Sequence, residues 1–593
     1  SNNYLSQAVT VAEAAPLTTS VQPPEAATAG CYIDPSEVTD QLAGTTATLT
    51  ARSAAGWGFT GWEGGATGTA SPIQITIQEN HPEIIGRFFR IAPVLSLSGG
   101  SVRQDFPKGD EDLQAVTVLP VTLTADDTDS WQVSSITFQA SGSGDETEQV
   151  TAVDLYLGQT KLSSGTYGAN NGTVTLNVGQ IIPAGGSVTL HLRYTISIDE
   201  YGGFLYDFAA TTRTDLVVAE PDNFEVGTKT PAPPAAVNSG PIRVGTVWNP
   251  DSEEVYGLIQ DGVDADNTTH GHTLHVYAGD YPENVDVTKS LTIESVEGRG
   301  AAHVQAPEEA TDHVFDVSVS STSIEGFRIS GATDSGKAGV CVHGTISTCG
   351  VRGCIIESNH YGVYVHDGAT STMIGGASGA DGNWIVGTHS HGVYITGATT
   401  TESLVRGNRI GTQDGEAAQW NGGDGVRVED APQTVVQGNL ISGNQGHGVH
   451  LSGTGAGTGS IMGNVIGLDR TGLRPLAMGD GGEPNGNQGD GIRIDGSPDT
   501  TVDIDAFGAR NIVSGNGGDG VHVIGTGASG TKISGNYIGT DKDGGHQNWG
   551  VESASPTGNG GCGVCLEDTA NCLVGVSGTG SRNVISGNNV GVR

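Results

Sequence analysis

The clearest pattern of hydrophobic and polar positions lies late in the chain, and it recurs. Asn439-Leu-Ile-Ser-Gly-Asn-Gln-Gly-His-Gly-Val-His-Leu451 is followed by Asn511-Ile-Val-Ser-Gly-Asn-Gly-Gly-Asp-Gly-Val-His-Val523 and by Asn583-Val-Ile-Ser-Gly-Asn-Asn-Val-Gly-Val592, each starting 72 residues after the last. Variant copies lie between them, at Asn464-Val-Ile-Gly and Gly491-Ile-Arg-Ile494, and at Asn536-Tyr-Ile-Gly and Gly563-Val-Cys-Leu566. Self-similarity at fixed spacing marks a stacked repeat architecture. Within each unit, short pieces such as Val449-His450-Leu451 alternate apolar and polar residues, as a strand with one buried face does. Gly and Asn punctuate the pieces and turn the chain sharply. The short unit, Asn439 to Asn464, spans 25 residues, enough for one coil of about three short strands. Stacked coils pair strand over strand, roughly 4.8 Å apart, around a shared apolar interior. A recurrent Asn at one coil position predicts a side-chain ladder, and the crossover rule predicts a right-handed coil.

These residues resemble the right-handed parallel β-helix repeats of large secreted or surface-attached bacterial proteins. The likeness runs from about Val247 to Arg593, and Leu274 to Val287 with Ser290 to Ile293 are similar to the first coils of such proteins. That fold is shared by adhesins, tailspikes, pectate-lyase-like enzymes and structural surface proteins, so the resemblance implies a fold more than an activity.

The pattern before the repeat is also β. Residues 1–29 read as an extended tail or linker, with a Val9/Val11 alternation that offers an alternative as a strand lent to a neighbour. Residues 30–90 hold alternating runs at Thr46–Ala51 and Ile73–Ile77 around Gly56-Trp-Gly-Phe-Thr-Gly-Trp62. This unit resembles small bacterial surface repeats. Trp57, Phe59 and Trp62 are expected to be its core rather than a sugar-stacking patch, because so small a unit has little else to bury. Residues 91–230 show strand runs such as Val116–Leu119, Ile136–Phe138, Val174–Val178 and Val188–Leu192 between turn residues, the pattern of a β-sandwich. Pro231-Ala-Pro-Pro234 opens a linker over 231–246, and 247–593 is the β-helix, with a short capping helix expected near Tyr256–Asp264. The whole is an all-β chain.

Charge and cysteines narrow the function. The 593 residues carry a net charge of −40, which disfavours nucleic acid and anionic membrane surfaces, and no run of 18 apolar residues offers a membrane span. Cys341, Cys349 and Cys354 form one cluster and Cys562, Cys565 and Cys572 another; both are disulfide candidates, since Cys562-Gly-Val-Cys565 lacks the second pair of a zinc motif. Asp126, Asp127 and Asp129, Asp264-Ala-Asp-Asn267 and Asp541-Lys-Asp-Gly544 supply oxygens of the kind Ca²⁺ takes, without the remaining ligands of a known loop. Apart from this Ca²⁺ option, no cofactor or metal is expected.

The repeat itself orders candidate chemistry. The residue between the two apolar strand positions runs Tyr364, Tyr394, Arg427, His450, Arg493, His522, Cys565; the residue before each Gly runs Tyr361, His391, Asp424, His447, Asp490, Asp519, Cys562. With the aliphatics inward, Tyr364, Tyr394, Asp424, Arg427, His450, Asp490, Arg493, Asp519 and His522 form an outward stripe suited to binding a ligand. Acid and base side by side suit polysaccharide chemistry, yet the acids recur once per coil and nothing breaks the repeat as an active site would. The expected function is therefore an extracellular structural or adhesive surface protein that binds glycans or itself. A pectate-lyase-like carbohydrate-active enzyme is the alternative. The longer units, with excess residues at 464–490 and 536–562, are expected to carry loops open to proteolysis near 479–485 and 548–557. The last copy stops at Arg593 without a polar cap, which predicts a continuing chain or a covered end, with head-to-tail assembly as one form of cover.

Overall fold

A computed structural model describes residues 17–35, 37–38, 43–54, 56–91, 94–198, 203–212, 217–219, 236–309, 311–476, 486–505, 508–545, 558–575 and 582–593. The chain divides into two compact units; Arg243–Arg593 belongs to the second.

In the first unit, two small sheets form the N-terminal domain. One orders Glu37–Val38, Leu17–Gln22, Ile84–Arg90 and Trp57–Gly64; the other orders Tyr32–Asp34, Thr46–Arg52 and Ile73–Thr76. Trp62 is buried, donates its indole N–H to the Ala70 carbonyl at 2.7 Å, and meets Phe59 edge-on at 4.9 Å. It acts as core. The domain begins earlier than the sequence suggests: Leu17–Gln22 is a strand, not tail, because Leu17 is buried and the strand pairs in parallel with Ile84–Arg87. Val9 and Val11 lie outside the described residues. The sandwich follows. Thr160–Gly165, Val150–Leu157, Ser187–Ile196, Val116–Ala125 and Leu95–Gly99 make one sheet, and Thr173–Ile182, Trp131–Gly142 and Leu205–Thr212 lie side by side in another. Trp131, Phe138, Tyr194 and Phe208 are buried in it. The expected linker over 231–246 is corrected at its end: Ile242–Gly245 is a strand that buries Ile242 and Val244.

The second unit is the right-handed parallel β-helix. Its three walls run from Thr273–Val276 to Leu573–Val574 (wall A), from Gly279–Tyr281 to Val584–Ile585 (wall B) and from Val285–Val287 to Val590–Val592 (wall C). Neighbouring rungs pair in parallel and in register, so that Val449, His450 and Leu451 lie over Ile492, Arg493 and Ile494. An antiparallel pair, Glu254–Tyr256 with Val247–Asn249, precedes the first strand of wall A in the same sheet. A helix, Ile259–Asp264, follows it, and the Glu283 carboxylate accepts the first two helical N–H groups, of Ile259 and Gln260, at 2.9 Å each. One continuous apolar core fills the interior, with Val436, Ile461, Val502 and Ile533 from wall A, Ile441, Ile466, Val513 and Ile538 from wall B, and the paired aliphatics of wall C.

Two buried asparagine ladders run along the corners. In one, Asn383, Asn408, Asn439, Asn464, Asn511, Asn536 and Asn583 each pass a side-chain N–H to the next Oδ1, at 2.9–3.2 Å. In the other, Asn421, Asn444, Asn487, Asn516, Asn559 and Asn588 do the same, at 2.7–2.9 Å. The Gly of each Gly-Val pair faces inward between them. A Cβ on Gly491 would lie 2.4 Å from Val513, 2.8 Å from Asn516 and 2.8 Å from the Gly520 carbonyl, so close approach excludes any side chain there. The extra loop residues 477–485 and 546–557, where proteolysis is expected, lie outside the described residues. No helix of the described residues is long and apolar enough to cross a membrane.

Candidate functional site

Wall C carries the stripe, and the register assembles it as the repeat predicts. Tyr364 lies over Tyr394, Tyr394 over Arg427, Arg427 over His450, His450 over Arg493, Arg493 over His522, and His522 over Cys565. Asp316 and Cys341 continue the same column on the earlier rungs. The sequence template Gly-Val-x-Val already held Cys341, but its cysteine neighbours drew attention to disulfide chemistry instead. On alternate rungs the strand ends in an acid, Glu429, Asp495 and Glu567, in a column beside the stripe that also holds Ser452 and Ile524; strand ends vary too much in sequence for the pattern to reveal them.

The residues before the Gly do not share one job with the column beside them. His391 Nδ1 accepts the Asp424 N–H at 2.9 Å, Asp424 Oδ1 the His447 N–H at 2.7 Å, and His447 Nδ1 the Asp490 N–H at 2.8 Å. Asp490 Oδ1 then accepts the Asp519 N–H at 2.7 Å, and Asp519 Oδ1 the Cys562 N–H at 2.5 Å. Each rung thus caps a backbone donor of the next, which would otherwise be left without a partner. Asp and His recur there because the position requires an acceptor of that reach.

The remaining lone pairs meet the outer column. His450 Nδ1 lies 3.1 Å from Asp424 Oδ2, and Arg427 Nη1 lies 2.5 Å from His450 Nδ1. One step along, Asp490 Oδ2 is 3.3 Å from Arg493 Nη1 and 3.4 Å from His522 Nδ1. Burial alone would raise the Asp424 carboxyl; its hydrogen bonds from His450 and from the His447 backbone outweigh that and hold it down to about 2. Burial lowers His391 and His447 and keeps them neutral, in keeping with the N–H groups their Nδ1 atoms accept. His391 and Asp424, 3.7 Å apart, are therefore not an ion pair. The hydrogen bond to Asp490 raises His522.

Toward lower numbers the stripe turns aromatic. The Tyr364 and Tyr394 rings stack at 5.2 Å with 5° between planes, and Tyr361 stacks on His391 at 5.9 Å and 2°. Ring faces are thus taken by neighbours, and edges and hydroxyls point outward; Tyr394 donates to Glu429 at 2.8 Å. Burial pushes both Tyr364 and Tyr394 up to about 12, so their hydroxyls stay protonated. A concavity of about 370 Å³ lined by Glu294, Arg299, Glu325, Arg352 and Asp381 lies elsewhere on the coil.

The cysteine readings change. Cys31, Cys341, Cys349, Cys354, Cys562, Cys565 and Cys572 carry no disulfide bond in this structure. Nearness in sequence is not nearness around a coil. Cys341 faces outward toward His366 Nε2 at 3.4 Å, while Cys349 and Cys354 pack into the core at other corners. Cys562 and Cys565 do share the outer face, and Cys572 packs against the core. The acidic loops serve themselves. Asp126 caps the Val94 and Thr128 N–H groups, Asp129 pairs with Arg90 at 3.3 Å, and Asp541 Oδ1 accepts from Asp543 and Gly545.

Residues 266–467 match the family described as periplasmic copper-binding protein (NosD), and residues 25–92 match the divergent InlB B-repeat domain. A cell surface glycoprotein of Methanothermus fervidus is 31% identical over 121 residues, which cover 20% of this chain and 18% of that protein. The chain thus spans less than a fifth of that relative's length. Among solved structures, the mannuronan C-5 epimerase AlgE4 A-module of Azotobacter vinelandii is similar at a TM-score of 0.37 and 15% identity, covering 56% of this chain and 95% of that one. The Dettilon tailspike protein is similar at a TM-score of 0.32 and 17% identity, covering 54% and 61%. The chain resembles right-handed parallel β-helix repeat proteins of bacterial cell surfaces, preceded by small surface-type β domains.

The copper in that family description can be tested against the side chains. Within the matched segment, Asp424, His447 and His450 bring ligand atoms within 4.8 Å of one another. A copper ion takes nitrogen or sulfur lone pairs. His447 commits its Nδ1 lone pair to the Asp490 N–H, so its neutral ring carries the proton on Nε2 and has no lone pair to give. His450 already faces the permanent cation of Arg427. These residues do not fit copper.

Proposed function

We propose that this is an extracellular or cell-envelope β-helix protein that binds a glycan chain lengthwise along wall C. The observation that carries the reading is the unbroken register of outward polar and aromatic side chains, one per rung, from Tyr364 to His522. Rungs about 4.8 Å apart offer hydroxyl, guanidinium and imidazole groups at a spacing close to the length of one pyranose residue. The charges are largely self-cancelling: Arg427 lies 3.7 Å from Asp424 and 3.8 Å from Glu429, and Arg493 lies 3.3 Å from Asp490 and 3.8 Å from Asp495. A row so paired suits a neutral sugar chain. The partial match to a cell surface glycoprotein supports the location.

Binding is favoured over catalysis by the state of the carboxylates. Asp424, Asp490 and Asp519 each spend an oxygen on a backbone N–H, and Asp424 is held at about 2, far below the range of an effective general base near neutral pH. A glycan array spanning neutral chains and polyuronates, followed by titration of Tyr394→Phe and Arg493→Met, tests this. Loss of one hydrogen bond of about 1 kcal/mol should weaken binding about five-fold. Absence of binding, or binding untouched by both substitutions, overturns the reading. Release of unsaturated uronides abolished by Asp490→Asn would replace it with the enzyme alternative.

A further inference from the structure

The last outward rungs change character. The two positions that hold Asp424 with Arg427, Asp490 with Arg493, and Asp519 with His522 hold Cys562 with Cys565 one rung later. The Gly-Val bulge turns both inner residues into the core and leaves the first and fourth residues on one outer face, which brings the two thiols together. Asp519, Cys562 and Cys565 present an oxygen and two sulfurs within 4.8 Å of one another, and His522, Cys565 and Glu567 do the same. The two groups share Cys565. His522 joins them further, with Nδ1 3.5 Å from Asp519 Oδ2 and Nε2 3.3 Å from Glu567 Oε2.

We propose that Cys562, Cys565, His522 and Asp519 bind a thiophilic divalent cation of the Zn²⁺ class, with Glu567 adjoining. Four features of the geometry support it. Two thiolates, one imidazole and one carboxylate oxygen are a ligand set that Zn²⁺ takes in four-coordinate sites. Ligands about 2.3 Å from a tetrahedral ion stand about 3.8 Å apart; Asp519, Cys562 and Cys565 are already within 4.8 Å of one another, as are His522, Cys565 and Glu567, so one ion is reached when the His522 ring closes on the pair of sulfurs. The imidazole is also oriented correctly. His522 Nδ1 lies 3.4 Å from Asp490 Oδ2, so its N–H points at a carboxylate, the second-shell arrangement that fixes a ligating histidine, and Nε2, now 3.3 Å from Glu567 Oε2, is the nitrogen that would turn to the ion. Asp519 Oδ1 is held by the Cys562 N–H, which leaves Oδ2 available.

The contrast with Asp424, His447 and His450 is specific. There one ring has no free lone pair and the other faces Arg427. Here Arg493 approaches His522 at Nδ1, 3.3 Å away, whereas Arg427 lies 2.5 and 3.2 Å from the two ring nitrogens of His450. Arg593, one rung on, interacts electrostatically with Cys565 and Cys562 and is suited to donating to a bound thiolate. Binding would release the two thiol protons, and the Nε2 proton where His522 is charged, to solvent.

Co²⁺ reports the site without reference to any activity. The full chain, reduced with a phosphine and freed of metal with chelator, should take up one equivalent and develop near-ultraviolet thiolate-to-cobalt bands with tetrahedral visible bands, all erased by Zn²⁺. Cys565→Ser should abolish the near-ultraviolet bands, and His522→Gln should weaken binding at least ten-fold. Cys341→Ser and His450→Gln should leave both spectrum and stoichiometry unchanged, and far-ultraviolet circular dichroism should show each variant folded. The proposal falls if the reduced chain, with its thiols counted free, gives no thiolate band. It falls equally if the band persists in the Cys562→Ser/Cys565→Ser variant, or is lost in Cys341→Ser.

Discussion

At the scale of the residue, the repeating acids are best understood as backbone caps, and that predicts an order among substitutions. Asp490→Asn keeps an oxygen for the Asp519 N–H and loses only the charge facing Arg493 and His522. Asp490→Ala leaves that N–H without its acceptor, which costs about 1–3 kcal/mol. Thermal unfolding should therefore rank wild type, then Asn, then Ala, with the larger gap between Asn and Ala; a larger gap between wild type and Asn would assign the residue to charge rather than capping. Asp424 adds a pH dependence. Its folded value is depressed to about 2 from an ordinary value near 4, so its contribution is complete above the ordinary value and is lost as pH falls through about 2. The stability gap between wild type and Asp424→Asn should shrink by about 2 kcal/mol between pH 5 and pH 2. A gap that stays constant over this window would mean that the carboxylate is not held by its neighbours.

At the scale of the element, one device keeps the coils in register and another caps the helix Ile259–Asp264, and each can be broken alone. Asn464 is fully buried; its Oδ1 accepts from the backbone and side chain of Asn439, and its side-chain N–H groups reach the Val436 carbonyl and Asn511 Oδ1. Asn464→Ala leaves several buried partners unpaired, at a cost of about 2–4 kcal/mol. Because each coil touches only its neighbours, faster amide exchange should appear on the rungs around 436–466 and 511–513 and not at the far end of the walls. Glu283→Ala should speed exchange of the Ile259 and Gln260 amides about ten-fold and Glu283→Gln less, since Gln keeps one acceptor oxygen but loses the charge at the helix start. Much of this was legible beforehand. Alternation around His450 and His522, the recurrent Asn and the 25-residue unit specify strands, ladder and coil, because in a repeat a local pattern also dictates its long-range partner. Leu17–Gln22 escaped notice because its Thr and Ser residues read as linker and its parallel partner, Ile84–Arg87, is far away in sequence. The capping role of Asp424 and Asp490 escaped because it depends on a backbone N–H of the next coil, which no pattern of side chains displays. Cys349 and Cys354 lie eight and thirteen residues past Cys341, around corners of the coil that part them from it, whereas Cys562 and Cys565, three residues apart, share one face.

At the scale of the whole molecule, a chain of net charge −40 carries a stripe whose charges are internally matched, and the two facts set how binding responds to salt. A strongly negative protein repels polyanions at long range, through a field that salt screens over about 10 Å at 0.1 M. A neutral glycan feels no such field, and the short contacts proposed for it with Tyr394, Arg427 and Arg493 would be hydrogen bonds to groups already held by Glu429, Asp424 and Asp490. Its affinity should stay within about two-fold between about 0.02 and 0.5 M salt. A polyuronate should behave oppositely to the usual polyanion at a basic site: its weak binding should strengthen as salt rises, because screening removes repulsion from the whole molecule faster than it removes attraction from two arginines already paired. Isothermal titration at the two ionic strengths distinguishes these cases. Steep weakening of polyuronate binding with salt would show that Arg427 and Arg493 leave their carboxylates to take the ligand, and that wall C is built for an acidic chain rather than a neutral one.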